Sequence, residues 1–182
     1  MKAEGLVTAQ EAYRRALEVL GTGLNRQFEG LLWINLGNIE IDLYQLTKDI
    51  KCLERADEAF IAGEGLVQEY PREHARAVLA RAGLALEEPY RGNTNLLTKG
   101  IQAITTIMTN LVQVGDLENI ARAKWLEGCL LKARPAVCSE ADLVLATECF
   151  IEAANLYEAL GSVHQAIGAK LAAVGCCVRK YA

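Results

Sequence analysis

LVLATECFIEAANLYEAL, residues 143–160, carries the clearest structural signal in this chain. Its apolar side chains recur at spacings of three and four residues: Leu143, Ala146, Phe150, Ala153, Tyr157 and Leu160. Because an α-helix has about 3.6 residues per turn, these positions line one face of a helix. The stretch ends at Gly161, and Ser162 is able to cap a following helix by accepting a backbone N–H. The pattern predicts two successive helices joined by a tight turn.

Similar boundaries occur along the rest of the sequence. Gly115-Asp116 repeats the glycine turn, and Tyr70-Pro71 places a proline at a helix start. No alternating β-branched run is long enough to predict a strand. We predict an opening helix near residues 8–20, first helices near 24–44, 72–87, 116–134 and 162–181, and second helices near 50–69, 95–114 and 139–160. Irregular segments are predicted at 88–95 and 133–138.

Four glycines inside predicted helices mark an internal repeat. They are spaced 46, 45 and 47 residues apart, at Gly37, Gly83, Gly128 and Gly175. A glycine inside a helix costs roughly 1 kcal/mol relative to alanine. Four such glycines at one spacing predict positions where neighbouring backbones approach closely. A period of this length built from helix pairs is typical of a solenoid, in which each unit buries its apolar face on its neighbours.

The composition supports a folded helical protein. Of the 182 residues, 52% are hydrophobic, 23% are charged and only 6% are aromatic, which favours packed helices over strands. A net charge of −4 gives no general electrostatic reason to bind nucleic acid or anionic lipid. No apolar run reaches the roughly 18 residues that cross a bilayer, and no signal peptide is recognisable. We therefore expect a cytoplasmic protein without membrane insertion.

The sequence offers no recognisable catalytic, metal or cofactor motif. His74 and His164 are isolated, no C-x-x-C occurs, and the six cysteines are expected to be reduced. His164 lies twelve residues before Cys176, about 18 Å along one helix, which is too far for proton transfer. Cys176 and Cys177 are adjacent, so both cannot point into one core and one thiol is expected to be exposed. We predict no enzyme activity, no catalytic residue, no metal and no cofactor.

Two motifs resemble the tetratricopeptide repeat family. Trp33-Ile-Asn-Leu36-Gly37 matches the family's Trp, two residues, Leu-Gly opening, and an Ala followed four residues later by Phe occurs as Ala56…Phe60 and again as Ala146…Phe150. The resemblance implies a right-handed solenoid of antiparallel helix pairs, with small residues allowing close packing and the aromatic ring filling the space between paired helices. It implies an all-α fold of about eight helices and one domain over residues 1–182. The units lie near 24–70, 71–114, 115–160 and an incomplete 161–182, after the opening helix.

The sequence also departs from this family. Glu40 stands where the family usually has Tyr, Glu127 replaces a Leu, and Gly100 and Ile104 stand in for Ala and Phe. The units have about 45 residues instead of about 34, which is similar to long-helix relatives such as the soluble NSF attachment proteins. HEAT-type repeats have a comparable length and are the main alternative architecture.

The resemblance implies a concave groove, lined by first helices, that binds a helix or an extended peptide. Candidate groove residues are acidic in the first two units and basic in the last two: Asn38, Asp42, Glu87, Glu88, Arg122, Lys132, Arg179 and Lys180. Opposed charges could orient a partner by complementarity. The alternative is that these residues belong to ordinary solvated helix faces. The segment 88–95 is a second candidate surface, Trp33 is expected in the core, and Trp125 fits either core or interface.

The last predicted helix has no second helix to cover it. Leu171, Val174 and Val178 on this helix are candidate interface residues, because helical arrays normally need polar caps. This favours a second interpretation, a structural subunit or a fragment of a longer solenoid that is joined through its terminal helices, with self-association as one possibility. A third interpretation is a sensor for a peptide or small ligand. Our first prediction is a non-catalytic protein–protein interaction scaffold.

Overall fold

The computed structural model describes residues 2–20, 25–134 and 140–180, and the side chains within these ranges except those of residues 2, 3, 179 and 180. Its eight α-helices are α1 Lys2–Leu20, α2 Arg26–Thr47, α3 Ile50–Val67, α4 Pro71–Gly83, α5 Thr94–Val114, α6 Leu117–Ala133, α7 Glu140–Ala159 and α8 Val163–Lys180. Two 3₁₀ turns, Leu84–Leu86 and Glu88–Tyr90, follow α4. The described residues contain no strand, which confirms the all-α prediction. The solenoid arrangement and its handedness stay predictions.

The predicted turn chemistry is present at three helix boundaries. Gly115 follows α5 with φ of 66° and Gly161 follows α7 with φ of 70°, a backbone conformation that glycine adopts without steric cost. The side chain of Asp116 caps α6 by accepting a hydrogen bond from the backbone N–H of Asn119 at 3.2 Å. Pro71 is the first residue of α4, where its missing N–H leaves no helical hydrogen bond unmade.

Two predicted helix boundaries are wrong. The helix predicted at 72–87 ends at Gly83, and Leu84 and Ala85 are buried in a 3₁₀ turn that follows it. A weak helix former at this point and Pro89 shortly afterwards prevent the α-helix from continuing. The opening helix begins at residue 2 instead of residue 8, with Glu4 in its first turn, where a negative charge is favourable.

The chain divides into two compact units, Met1–Leu84 and Ala85–Ala182. In the first unit α2 packs against α1 and α3, and α4 packs against α2 and α3. The backbones of α2 and α3 approach closely at two glycines, because a Cβ built at Gly63 would lie 3.0 Å from the carbonyl oxygen of Gly30. Leu53, Ala56 and Phe60 of α3 are buried in this core.

In the second unit α6 packs against α5 and α7, and α8 packs against α7. One cluster of the core consists of Tyr157 and five alanines from three helices. The alanines are Ala121, Ala153, Ala154, Ala166 and Ala169. A second cluster surrounds Phe150, whose ring centroid lies 5.2 Å from that of Trp125. Small side chains therefore allow α8 to lie close to α7.

The predicted approach of neighbouring backbones is not found at the four repeat glycines, although a side chain of the neighbouring helix lies close to two of them. A Cβ at Gly37 would lie 2.5 Å from the ring of Phe60, and one at Gly128 would lie 2.8 Å from the ring of Phe150. The approaching group is an aromatic ring and not a backbone. At Gly83 a Cβ would meet no atom within 4 Å, and at Gly175 it would meet only the Nζ of Lys132 at 3.7 Å. The prediction is wrong because sequence spacing does not specify which side of a helix faces a neighbour.

Candidate functional site

Helix α8 turns its small residues towards the core of the second unit. Ala166, Ala169, Ala173 and Cys176 are buried, and each is at most 7% exposed. They lie on one side of the helix because their spacings of three and four residues match the helical period. The residues that attach α8 to the rest of this unit are thus mostly alanines.

The opposite side of α8 carries the large aliphatic residues of the helix. They are between 51% and 67% exposed, and we call them the α8 stripe: Val163, Ile167, Leu171, Val174 and Val178. Three of them are the terminal-interface candidates of the sequence analysis, which missed Val163 and Ile167. The signal was present in the spacings of four, four, three and four residues. Single exposed aliphatic residues are ordinary, whereas a contiguous row of five is typical of an interaction surface.

The edges of the α8 stripe differ in chemistry. With about 100° of rotation per residue, Gly168 and Gly175 lie along one edge and Lys170 and Cys177 along the other. A Cβ at Gly168 would meet no atom of the described residues within 4 Å. On the other edge, Lys170 Nζ donates a hydrogen bond to Glu158 Oε1 of α7 at 2.5 Å, and Cys177 is exposed. One edge is therefore open and small, and the other is polar.

The predicted groove residues are distributed over both units. Asn38 and Asp42 are exposed one turn apart on α2, in the first unit. In the second unit Arg122 is exposed and Lys132 is half-buried, both on α6. Glu87 is half-buried and Glu88 is exposed in the segment after α4, and the side chains of Arg179 and Lys180 lie outside the described residues. A groove formed by all of these residues stays a prediction.

The two tryptophans are half-buried. Trp125 packs against both clusters of the second unit, and its ring contact with Phe150 supports the core interpretation of this residue. Trp33 of α2 lies beside α3, where its Cβ would be 3.3 Å from a Cβ built at Gly63. The Trp125 ring thus contributes to packing between helices, and the Trp33 side chain begins at the contact between α2 and α3.

Among the described residues, the most deeply buried charged group is Glu40, which is 1% exposed. One carboxylate oxygen accepts hydrogen bonds from Gln10 Nε2 at 2.5 Å and Arg14 Nη2 at 3.3 Å, and the other accepts one from Arg55 Nε at 2.9 Å. The hydrogen bond to Glu40 raises the pKa of the Arg55 guanidinium. The donors come from α1 and α3, so this carboxylate joins three helices. In the sequence, Glu40 stands out only as a departure from the resembled family, because its hydrogen-bond donors are distant in sequence.

The cysteines of the described residues are mostly buried thiols. Burial raises the pKa of Cys129 to about 11 and that of Cys149 to about 12. Cys176 is buried and its neighbour Cys177 is exposed, in agreement with the expectation that one of the two faces solvent. Cys138 lies outside the described residues. In residues 2–20, 25–134 and 140–180, no three His, Cys, Asp or Glu side chains are grouped as a metal site requires.

None of the helices in the part of the chain that the structure describes combines the length and the apolar character that a membrane span needs. In comparisons with protein-family models, curated proteins and solved structures, the chain matches none of them.

Proposed function

We propose that this chain is a non-catalytic protein–protein interaction component that associates with another protein through the α8 stripe. The observation that carries the proposal is the distribution of side-chain size around α8. Alanines face the core of the second unit, and the valines, isoleucine and leucine of the helix face solvent. A helix that is apolar on both sides is typical of one that is covered on both sides.

Covering the α8 stripe would contribute part of the free energy of an association. Full burial of one Val, Leu or Ile side chain contributes about 1.5–3 kcal/mol. The five side chains of the α8 stripe are each more than half exposed, so covering them would contribute on the order of 5 kcal/mol. The loss of translational and rotational freedom on binding costs about 4–15 kcal/mol, so contacts beyond the α8 stripe must contribute to a stable complex.

Three titratable groups within the helical packing support a non-catalytic role. The carboxylate of Glu40 already accepts hydrogen bonds from three side chains. Cys129 and Cys149 have raised pKa values, so both are neutral thiols at pH 7 and poor nucleophiles. These groups therefore serve the packing of the helices.

The proposal is tested by placing charge on the α8 stripe. Tagged wild-type chain, a Leu171→Glu/Val174→Glu variant and a Val19→Glu control are used to capture proteins from an extract of the source cells, with mass spectrometry as the readout. Val19 is a suitable control because it is an exposed valine, at 87%, in the other unit. We expect a protein that wild type and control retain and the double variant loses while its circular dichroism spectrum is unchanged. Equal capture by all three chains would reject the α8 stripe as the interface.

A further inference from the structure

We infer that α1 is a detachable cover of the first unit, which leaves α2 and returns as one helix while α2, α3 and α4 stay packed. Its polar attachment to Glu40 sets how often it leaves. The inference concerns a different part of the chain from the α8 stripe and is independent of the proposed function. Three observations support it: the shallow burial of α1, the apolar face beneath it and the arrangement of donors around Glu40.

Helix α1 is attached by side chains that are only half-buried. Among residues 4–20 none is buried, and the half-buried ones recur at spacings of three and four residues, as Leu6, Gln10, Tyr13 and Leu17 show. Helix α1 packs against α2, whereas α2 also packs against α3 and α4. Because little apolar surface holds α1, its separation costs less free energy than that of a helix with buried core residues.

The face of α2 beneath α1 is apolar. Leu36 and Leu43 are buried, and at about 100° of rotation per residue both lie within about 60° of Glu40, on the same side of it. Gly37, where the aromatic ring from α3 packs, lies on the other side of Glu40. Since α3 takes that side and two donors of α1 reach Glu40, α1 covers the two leucines. Its departure would therefore uncover an apolar row beside a carboxylate.

The donors to Glu40 are divided between the helix that would leave and a helix that would stay. Gln10 Nε2 and Arg14 Nη2 of α1 donate to one carboxylate oxygen, and Arg55 Nε of α3 donates to the other at 2.9 Å. When α1 leaves, the carboxylate keeps Arg55 and accepts hydrogen bonds from water in place of the α1 donors. A carboxylate that stayed buried without donors would instead be strongly unfavourable. The position of Glu40 thus permits detachment and fixes where α1 returns.

The inference is tested by hydrogen exchange of the full chain, followed residue by residue by NMR where exchange reports the population of open states. A free helix of 19 residues is only marginally stable in water, so the amides of α1 exchange once it detaches. We expect those of residues 6–20 to share one protection factor, at least about tenfold below that of α3. Protection that instead rises gradually from the N-terminal end would indicate fraying and refute the inference.

A core substitution separates detachment from unfolding of the whole unit. Phe60→Leu weakens the packing of α3 against Gly37 of α2, which is present whether or not α1 is attached. We expect exchange in α3 to become at least about fivefold faster, while that of α1 changes by less than about twofold. In the wild type, exchange of α1 should also depend less on urea, because detachment exposes less surface than unfolding. Equal acceleration, or equal dependence on urea, would mean that α1 opens only when the unit unfolds, which contradicts the inference.

The role of Glu40 is tested by removing its two donors from α1. The variant Gln10→Ala/Arg14→Ala is compared with Glu11→Ala/Arg15→Ala, which changes the exposed residues one position further along the helix. We expect α1 to exchange at least about fivefold faster in the first variant and within about twofold of the wild type in the second. Equal rates in the two variants would show that α1 is not fastened through Glu40, and the inference would be overturned.

Discussion

The ring of Phe60 lies against the backbone of Gly37, with its Cε1 atom 2.5 Å from the place that a Cβ would take. Phe150 lies against Gly128 in the same way, at 2.8 Å. In each unit, the ring from one helix fills space that only a glycine on the preceding helix leaves free. The same packing feature thus occurs twice, in α2–α3 and in α6–α7.

Alanine substitutions at the repeat glycines should therefore have opposite effects. We expect Gly37→Ala and Gly128→Ala to lower the free energy of unfolding by about 1–3 kcal/mol, because the added methyl group displaces a buried ring. Gly83→Ala is the matched control, since its Cβ would meet no atom within 4 Å. It should be neutral or stabilise the chain by up to about 1 kcal/mol. Urea unfolding measures all three, and equal effects would contradict the ring contacts.

The carboxylate of Glu40 should be required for the packing of α1 against α2 and α3. Glu40→Ala removes the acceptor for Gln10, Arg14 and Arg55, and we expect it to lower the free energy of unfolding by about 2 kcal/mol. The two arginines are partly exposed, at 49% and 36% of their side chains, so water moderates the loss. Asp42→Ala, at an exposed position two residues away, is the control and should change stability by less than about 0.5 kcal/mol. A similar loss in both variants would rule out a specific role for Glu40.

Stability should fall at high pH because of the buried thiols. An unfolded cysteine ionises near its ordinary pKa of 9.0, whereas burial raises the pKa of Cys149 to about 12 in the folded chain. Below pH 9 both states hold the proton, and above it the unfolded state releases the proton first. The free energy of unfolding should therefore decrease as the pH rises from about 9 towards 12. Urea titrations at pH 8, 9 and 10 compare the wild type with Cys149→Ala, whose decrease should be smaller. Parallel pH profiles would contradict the prediction.

The groove hypothesis makes a prediction that is independent of the α8 stripe. The four basic groove candidates are Arg122, Lys132, Arg179 and Lys180. Substitution of all four by Glu should weaken capture of a groove partner while the helical content of the chain stays unchanged. The readout is mass spectrometry of proteins captured from extract, beside the wild type. Reversal of Lys51, which lies on α3, is a single-charge control. Capture that is equal in all chains would reject a binding role for these four residues.

The sequence was informative where local chemistry determines the structure. Gly115 and Pro71 marked helix boundaries correctly because a positive φ and a missing N–H act within one or two residues. The approach of Gly30 to Gly63 could not be predicted, because it depends on how two helices cross and no local pattern marks it. The cluster around Glu40 was missed for the same reason, since its hydrogen-bond donors lie on two other helices.

The α8 stripe was predicted in part. Leu171, Val174 and Val178 were identified because no second helix is predicted to pair with theirs, whereas Val163 and Ile167 were not. Periodicity indicates an apolar face of a helix, but α8 is apolar on two sides. The side that packs inward is the one with alanines, because they fit the space beside α7. This fit depends on the three-dimensional arrangement of the two helices and is not marked in the sequence.

The alanine-rich attachment of α8 has a consequence for local opening. A buried methyl group contributes less burial free energy than a buried leucine or phenylalanine, by about 0.8 kcal/mol per missing CH₂. We therefore expect the amides of α8 to exchange with deuterium faster than those of α7, which contributes Phe150 and Tyr157 to the core. A partner that covers the α8 stripe would slow this exchange. Deuterium uptake of α8, measured by mass spectrometry, would therefore show whether the stripe is covered. Helix α8 would then reach its full stability only when a partner covers it.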